Sequence, residues 1–226
     1  MLIVSVDTSG RKGSIALCRG DASNFEVLQL TSLEGGTYSA QLMPCIAEAL
    51  QGNHLTKSEV DGFVVVSGPG SFTGLRVGLA TVKGLCEVLG KPLVVVSMLE
   101  ALAMTHGRLG GTTTAILDAG RGELYIGEYR LADQRAEPVR EYIAKLEAFA
   151  AEAAVMRGEI LTPDAKVAES LRATHPGIKL VAPVLADQIG RLGLHKLLQA
   201  EIVDAATIDV NYMRRSDAEI FSAPKP

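Results

Sequence analysis

The sequence predicts a two-lobed α/β protein made of two related β-β-β-α-β-α halves, the second of them degenerate. Three observations predict it. Apolar runs that read as strands alternate with segments of helical period across residues 2–106. One strand passes into one helix through a glycine-rich turn, Gly68-Pro69-Gly70-Ser71-Phe72-Thr73-Gly74. The opening pattern of strand, acid and returning strand recurs 111 residues later, laying Asp7 on Asp118, Ile15 on Ile126, Ala16 on Gly127 and Arg19 on Arg130.

Taken in order, residues 2–8 read as a strand ending at Asp7, and 14–19 and 26–31 as two more. Residues 38–51 read as a helix with Leu42, Met43, Ile46, Ala49 and Leu50 on one side. Pro44, past its first turn, predicts a kink or a late start. Thr56-Lys57-Ser58-Glu59 is a capping-box pattern and predicts a short turn. Residues 63–67 read as a buried strand, 73–89 as a helix, 93–97 as a strand and 98–106 as a helix.

The 73–89 helix has a stripe of Leu75, Leu79, Val82, Leu85, Cys86 and Leu89, yet it also carries Gly74, Gly78 and Gly84. Each costs about 1 kcal/mol relative to alanine. A close neighbour is the usual reason, and it can be the core or a partner subunit. The same 111-residue shift puts the counterpart of the glycine turn near residues 179–185, Lys-Leu-Val-Ala-Pro-Val-Leu, which hold no glycine. The expected lobes are residues 1–108 and 109–226, with the last segment returning to the first lobe.

A glycine-rich turn opening a helix offers backbone N–H groups to an anion, phosphate above all. Here Leu75 and Arg76 follow Gly74, so the Lys and hydroxyl of a P-loop are absent, and Thr73 stands where a dinucleotide fingerprint needs glycine. Ser71 and Thr73 add hydroxyls near the helix start. Asp7 has two readings: an Asx-turn at the strand end, or a holder of metal-bound water or phosphate. Phosphoryl transfer needs positioning from both sides, so a chain with one cradle is expected to be a poor ATPase alone.

Net charge is −4, aromatics are 4% of residues and tryptophan is absent, which argues against unaided nucleic-acid binding. Hydrophobic content of 47% and a mean hydropathy of +0.22 argue against extended disorder. Cys18, Cys45 and Cys86 are odd in number and far apart, and read as reduced residues of a cytoplasmic protein. No signal peptide is expected, and the longest apolar stretch, 92–104, falls short of the roughly 20 residues that span a membrane. His54, His106, His175 and His195 show no metal-ligand spacing, and no metal site is expected.

The repeated hairpins resemble those of the actin-like ATPase fold of actin, Hsp70 and sugar kinases, in which nucleotide sits between two related domains. The Gly68-to-Gly78 string more closely resembles the signature of the bacterial TsaB (YeaZ) family. So do Asp7-Thr8-Ser9, the run Asp118-Ala119-Gly120-Arg121-Gly122-Glu123-Leu124-Tyr125, and Tyr212-Met213-Arg214-Arg215. The resemblance implies a non-catalytic part in forming N6-threonylcarbamoyladenosine at position 37 of tRNAs that read ANN codons. It implies pairing with and activation of a TsaD-type transferase, recruitment of a TsaE-type ATPase, self-pairing when TsaD is absent, and contact with tRNA only through the complex. Asp7, Thr8, Ser9, Gly68, Pro69, Gly70, Ser71, Thr73 and Gly74 would form a vestigial or shared nucleotide loop. The chain itself would need no cofactor, any ATP or ADP being held at an interface of the complex. The partner surface would map to Tyr38, Leu42, Met43, Cys45 and Ile46, with Leu75, Arg76, Gly78, Leu79 and Val82. The sequence departs from the family pattern at Tyr38, commonly histidine, at Gly120, frequently arginine, and at Val210, usually proline. An independent ATPase or small-molecule kinase of the same fold, and more remotely a metallopeptidase, are the alternative readings.

Overall fold

In the computed structural model residues 1–133 and 135–210 are described, so the Tyr212-to-Arg215 segment lies outside the described residues. The chain opens with three antiparallel strands, β1 (Leu2–Asp7), β2 (Lys12–Gly20) and β3 (Phe25–Glu34), followed by α1 (Tyr38–Gly52) and a 3-10 turn (Lys57–Glu59). Next come β4 (Gly62–Gly68), α2 (Phe72–Leu89), β5 (Leu93–Ser97) and α3 (Met98–His106). The five strands form one sheet in the order β3-β2-β1-β4-β5, with β4 parallel to both β1 and β5. Every residue of β1 and β4 is buried. That is why their sequences are apolar runs rather than alternating patterns: both faces of the sheet are covered.

The second half repeats the plan. β6 (Thr112–Gly120), β7 (Glu123–Ala132), β8 (Arg135–Lys145), α4 (Leu146–Ala153), β9 (Glu159–Thr162), α5 (Ala165–Leu171), β10 (Lys179–Leu180) and α6 (Ala186–Leu198) follow in turn. The second sheet runs β10-β9-β6-β7-β8, the first half's order with each strand exchanged for its counterpart. This is the expected two-lobed α/β actin-like fold.

Cross-strand partners share a face of the sheet. Ser5 pairs with Ala16 and Val64, and Asp7 with Ser14, so these residues look one way. That face receives α6: a side chain at Gly190 would meet Ser5 and Cys18, one at Gly193 would meet Val64, and the Ala186 N–H donates to Ser14 Oγ at 2.9 Å. The other face carries α1 and α2. Past α6 the chain crosses back over the first lobe, where Val203 bridges Leu93 and Lys83 Nζ donates to the Ile208 carbonyl at 2.8 Å.

Two sequence expectations need correction. The 111-residue shift holds for the first arm of the hairpin only. Asp7 pairs with Ser14, but Asp118 pairs with Leu124 rather than Tyr125, because the second turn is one residue shorter. Ile15 therefore answers to Tyr125, and Ala16 to Ile126. Second, the counterpart of the glycine turn is not at 179–185, which is the connection from β10 to α6. Strand order places it at the β9–α5 junction, Thr162-Pro163-Asp164, because α4 and α5 have 8 and 7 residues where α1 and α2 have 15 and 18. The inference drawn from it survives, since this junction holds no glycine either. Of the kink or late start that Pro44 predicts, the late start does not occur: α1 begins at Tyr38 with Pro44 inside it.

Candidate functional site

Between the lobes lies a cleft of about 1000 Å³. Its first-lobe wall includes Asp7, Ser9, Gly10, Pro69, Gly70, Ser71, Thr73 and Gly74, so the sequence-chosen loop residues converge on one place. Of that set, Thr8 and Gly68 stand just behind the lining.

Asp7 ends β1 and is 4% exposed. Its Oδ1 accepts from the Ser9 backbone N–H at 2.8 Å and from Ser9 Oγ at 2.7 Å, which is Asx-turn geometry. Burial holds its carboxyl above the ordinary range, and the two Ser9 bonds work against that shift without cancelling it. Two further bonds tie this turn to the glycine loop. Thr8 Oγ1 donates to the Gly74 carbonyl at 2.8 Å, and the Ser71 N–H donates to the Ser9 carbonyl at 2.6 Å. Ser71 is the N-cap of α2, its Oγ accepting from the Gly74 N–H at 3.3 Å.

The helix glycines answer to this contact. A side chain on Gly74 would overlap the Thr8 carbonyl, and one on Gly78 would overlap Thr8 Oγ1, whereas Gly84 faces open space. The two signature motifs are thus halves of one interlock. Several of the donors that a phosphate would use are spent inside the protein. Tyr38 braces the same turn: its hydroxyl donates to the Gly10 carbonyl at 2.8 Å, and burial beside the Asp7 and Glu34 carboxylates pushes it up to about 12.

The second-lobe wall differs in chemistry. Asp118 Oδ1 accepts from the Gly120 N–H at 2.7 Å, and Asp164 Oδ2 accepts from the Asp118 N–H at 2.8 Å. Where a second phosphate cradle would present N–H donors, two carboxylates line the cleft, flanked by Pro163, Pro183 and Val184. The second lobe thus has no glycine turn to match the first lobe's cradle. Asp164 was missed by sequence reasoning. Its signal was the turn string Thr162-Pro163-Asp164 between a strand and a helix, hidden by the faulty shift. Arg11 and Lys12, at the cleft mouth on the β1–β2 turn, were missed as well and carried no motif.

The residues assigned to a partner surface separate into two groups. Tyr38, Leu42, Ile46, Leu75, Gly78, Leu79 and Val82 are buried within this chain and do not present an outer surface. They fall on the apolar stripe of each helix, which faces the chain's own core. Met43, 49% exposed, half-buried Cys45 and exposed Arg76 are the three that reach outward. Beside them on the outer faces of α1 and α2 stand exposed Pro44, Ala47, Ala80, Gly84 and Val88.

The lobes are joined by a half-buried polar knot. Glu141 of β8 accepts from Ser97 Oγ, at the start of α3, at 2.9 Å and from the Tyr129 hydroxyl of β7. One turn along α3, Glu100 pairs with Lys196 of α6 at 2.8 Å. Among the described residues no group of three or more His, Cys, Asp or Glu gathers around a metal position, and no helix is long and apolar enough to cross a membrane.

The family model described as TsaD, tRNA N6-adenosine threonylcarbamoyltransferase, matches residues 35–210. The chain is 34% identical over 139 residues to the tRNA threonylcarbamoyladenosine biosynthesis protein TsaB of Bacillus subtilis, covering 62% of this chain and 59% of that one. It is 30% identical over 132 residues to the protein of the same name from Escherichia coli, covering 58% and 55%. The matched region thus spans a little over half the length of these curated relatives. A solved structure from Pseudomonas aeruginosa, described as similar to peptidase YeaZ, superposes with a TM-score of 0.75 at 24% identity over 94% of this chain and 99% of that one.

Proposed function

The chain belongs to the TsaB/YeaZ family, within the wider TsaD (tRNA N6-adenosine threonylcarbamoyltransferase) family, and on that premise we propose that it is the non-catalytic partner subunit in forming N6-threonylcarbamoyladenosine on tRNA. It docks on a TsaD-type transferase, holds that enzyme in its competent state by binding it preferentially, and helps recruit a TsaE-type ATPase. Transfer chemistry belongs to the transferase, and tRNA meets this chain only within the complex. ATP or ADP is held, where it is held, at an interface of the complex.

The observation that carries the reading is the second wall. At the place of the second phosphate cradle stands Thr162-Pro163-Asp164, which has no glycine to bring backbone N–H groups onto a phosphate, and phosphoryl transfer needs such positioning from both sides. The docking face is the outer side of α1 and α2, with Met43, Arg76, Ala80 and Gly84 in place of the buried residues chosen from the sequence. Reconstitution tests this. Purified TsaC-, TsaD- and TsaE-type proteins with tRNA should form product only when this chain is added, and the chain alone should not turn over ATP. ATP turnover by the isolated chain, lost in Asp7→Ala, would instead favour an independent ATPase or kinase.

A further inference from the structure

We infer that α2 is a rigid link between its outer face and the acid-bearing turn, so that a TsaD-type partner seated on that face immobilises Asp7-Thr8-Ser9 and the mouth of the cleft. The inference rests on the partner reading above and extends it to this chain's own cleft.

The helix advances about 100° per residue. Gly74 and Gly78 face the turn, so Arg76 and Ala80, each two residues on, face nearly the opposite way. The inner contact leaves no slack. Thr8 fills the space that side chains at Gly74 and Gly78 would take, and its hydroxyl donates to the Gly74 carbonyl at 2.8 Å. The Ser71 N–H holds the Ser9 carbonyl at 2.6 Å from the same helix end. Close-packed contacts of this kind pass on displacement rather than absorb it. Gly10, Arg11 and Lys12 are exposed at the tip of the turn, where the Tyr38 hydroxyl and the Gly35 N–H hold the Gly10 and Arg11 carbonyls. Restraining α2 from outside therefore adds a restraint, through Thr8 and Ser9, to those that Tyr38 and Gly35 already place on the tip. Arg11 and Lys12 line the same cleft as Asp118 and Asp164, so partner docking restrains charged residues on its first-lobe wall.

Amide hydrogen exchange on the full chain, with and without a saturating TsaD-type protein, tests this directly. Amides of residues 9–13 should slow by about tenfold or more when the partner is bound. Thr8→Val keeps the side-chain volume but removes the donor to Gly74; it should bind the partner with affinity within about threefold of the parent and lose most of the added protection. Ala80→Arg, on the outer face, should leave exchange of the free chain unchanged while abolishing both binding and added protection. Binding without slower exchange at residues 9–13, or full protection in Thr8→Val, would overturn the inference and leave the partner reading standing. Absence of binding by the parent chain would overturn both.

Discussion

Glycine in this protein is a matter of what stands opposite each position. A methyl group at Gly74 would overlap the Thr8 carbonyl, a backbone atom that cannot swing aside. Gly74→Ala should therefore cost about 1–3 kcal/mol through overpacking. Gly84 lies in the same helix with open space around it, and Gly84→Ala should add about 0.5–1 kcal/mol by favouring the helix. Urea titration of the two variants checks both, and equal effects would refute the interlock as the reason for Gly74. Asp7 gives a test of sign. Its folded pKa is raised above the ordinary 3.8 by burial, so the folded chain holds that proton more tightly. The stability it contributes is greatest below that ordinary value and is lost as pH rises through its folded pKa. Asp7→Asn should gain stability relative to the parent as pH rises from about 4 to 7; a difference independent of pH would exclude the burial argument. The sequence displayed each of these residues plainly, because glycines in strings and an acid after an apolar run are local signals. It did not display their contact, since Thr8 and Gly74 lie far apart in the chain and nothing local ties them.

Elements of the first lobe were legible because their sequences obey simple periods. The buried strands are mostly apolar, and α2 has a capping serine before it and Gly90 in left-handed conformation after it. The second lobe was less so. Its helices α4 and α5 make about two turns each, too short for a 3.6-residue period to stand out. A fixed shift between halves also fails once helices shorten, which is how the counterpart of the glycine loop was misplaced. Most of the partner residues that the family resemblance implied lie on the buried side of α1 and α2. Surface residues follow no periodic rule, so the outer face became visible only in three dimensions. At this scale the expectation is simple: Met43→Glu, on the exposed side of α1, should weaken partner binding at least tenfold, about 1.4 kcal/mol. It should leave the melting temperature within about 2 °C of the parent, as surface changes do. Calorimetric titration and a thermal melt separate the two effects, and a variant that binds normally would remove α1 from the docking face.

At the scale of the whole molecule, half-buried polar groups join the two sheets through α3. Ser97, Tyr129 and Glu141 tie α3 to the second sheet, and the Glu100–Lys196 pair ties α3 to α6 on the first. Glu100 shows the cost: burial raises its carboxyl above the ordinary range, and Lys196 is the chief group opposing that rise, with the Ser97 backbone helping and Glu141 adding to the rise. Lys196→Met removes the opposing charge and retains most of the apolar stem. Glu100 is then left buried without its cation, and its folded pKa must climb further. At about pH 7.5 the variant should lose about 1–3 kcal/mol, the penalty of an unpaired buried charge. At about pH 4, on the other side of the isoelectric point near 5.6, Glu100 is largely protonated in both folded and unfolded chains, and most of that loss should vanish. Urea titrations of parent and variant at the two pH values decide the matter. A loss of equal size at both would mean that Lys196 acts through its stem alone, and that the join between lobes is one of packing rather than charge.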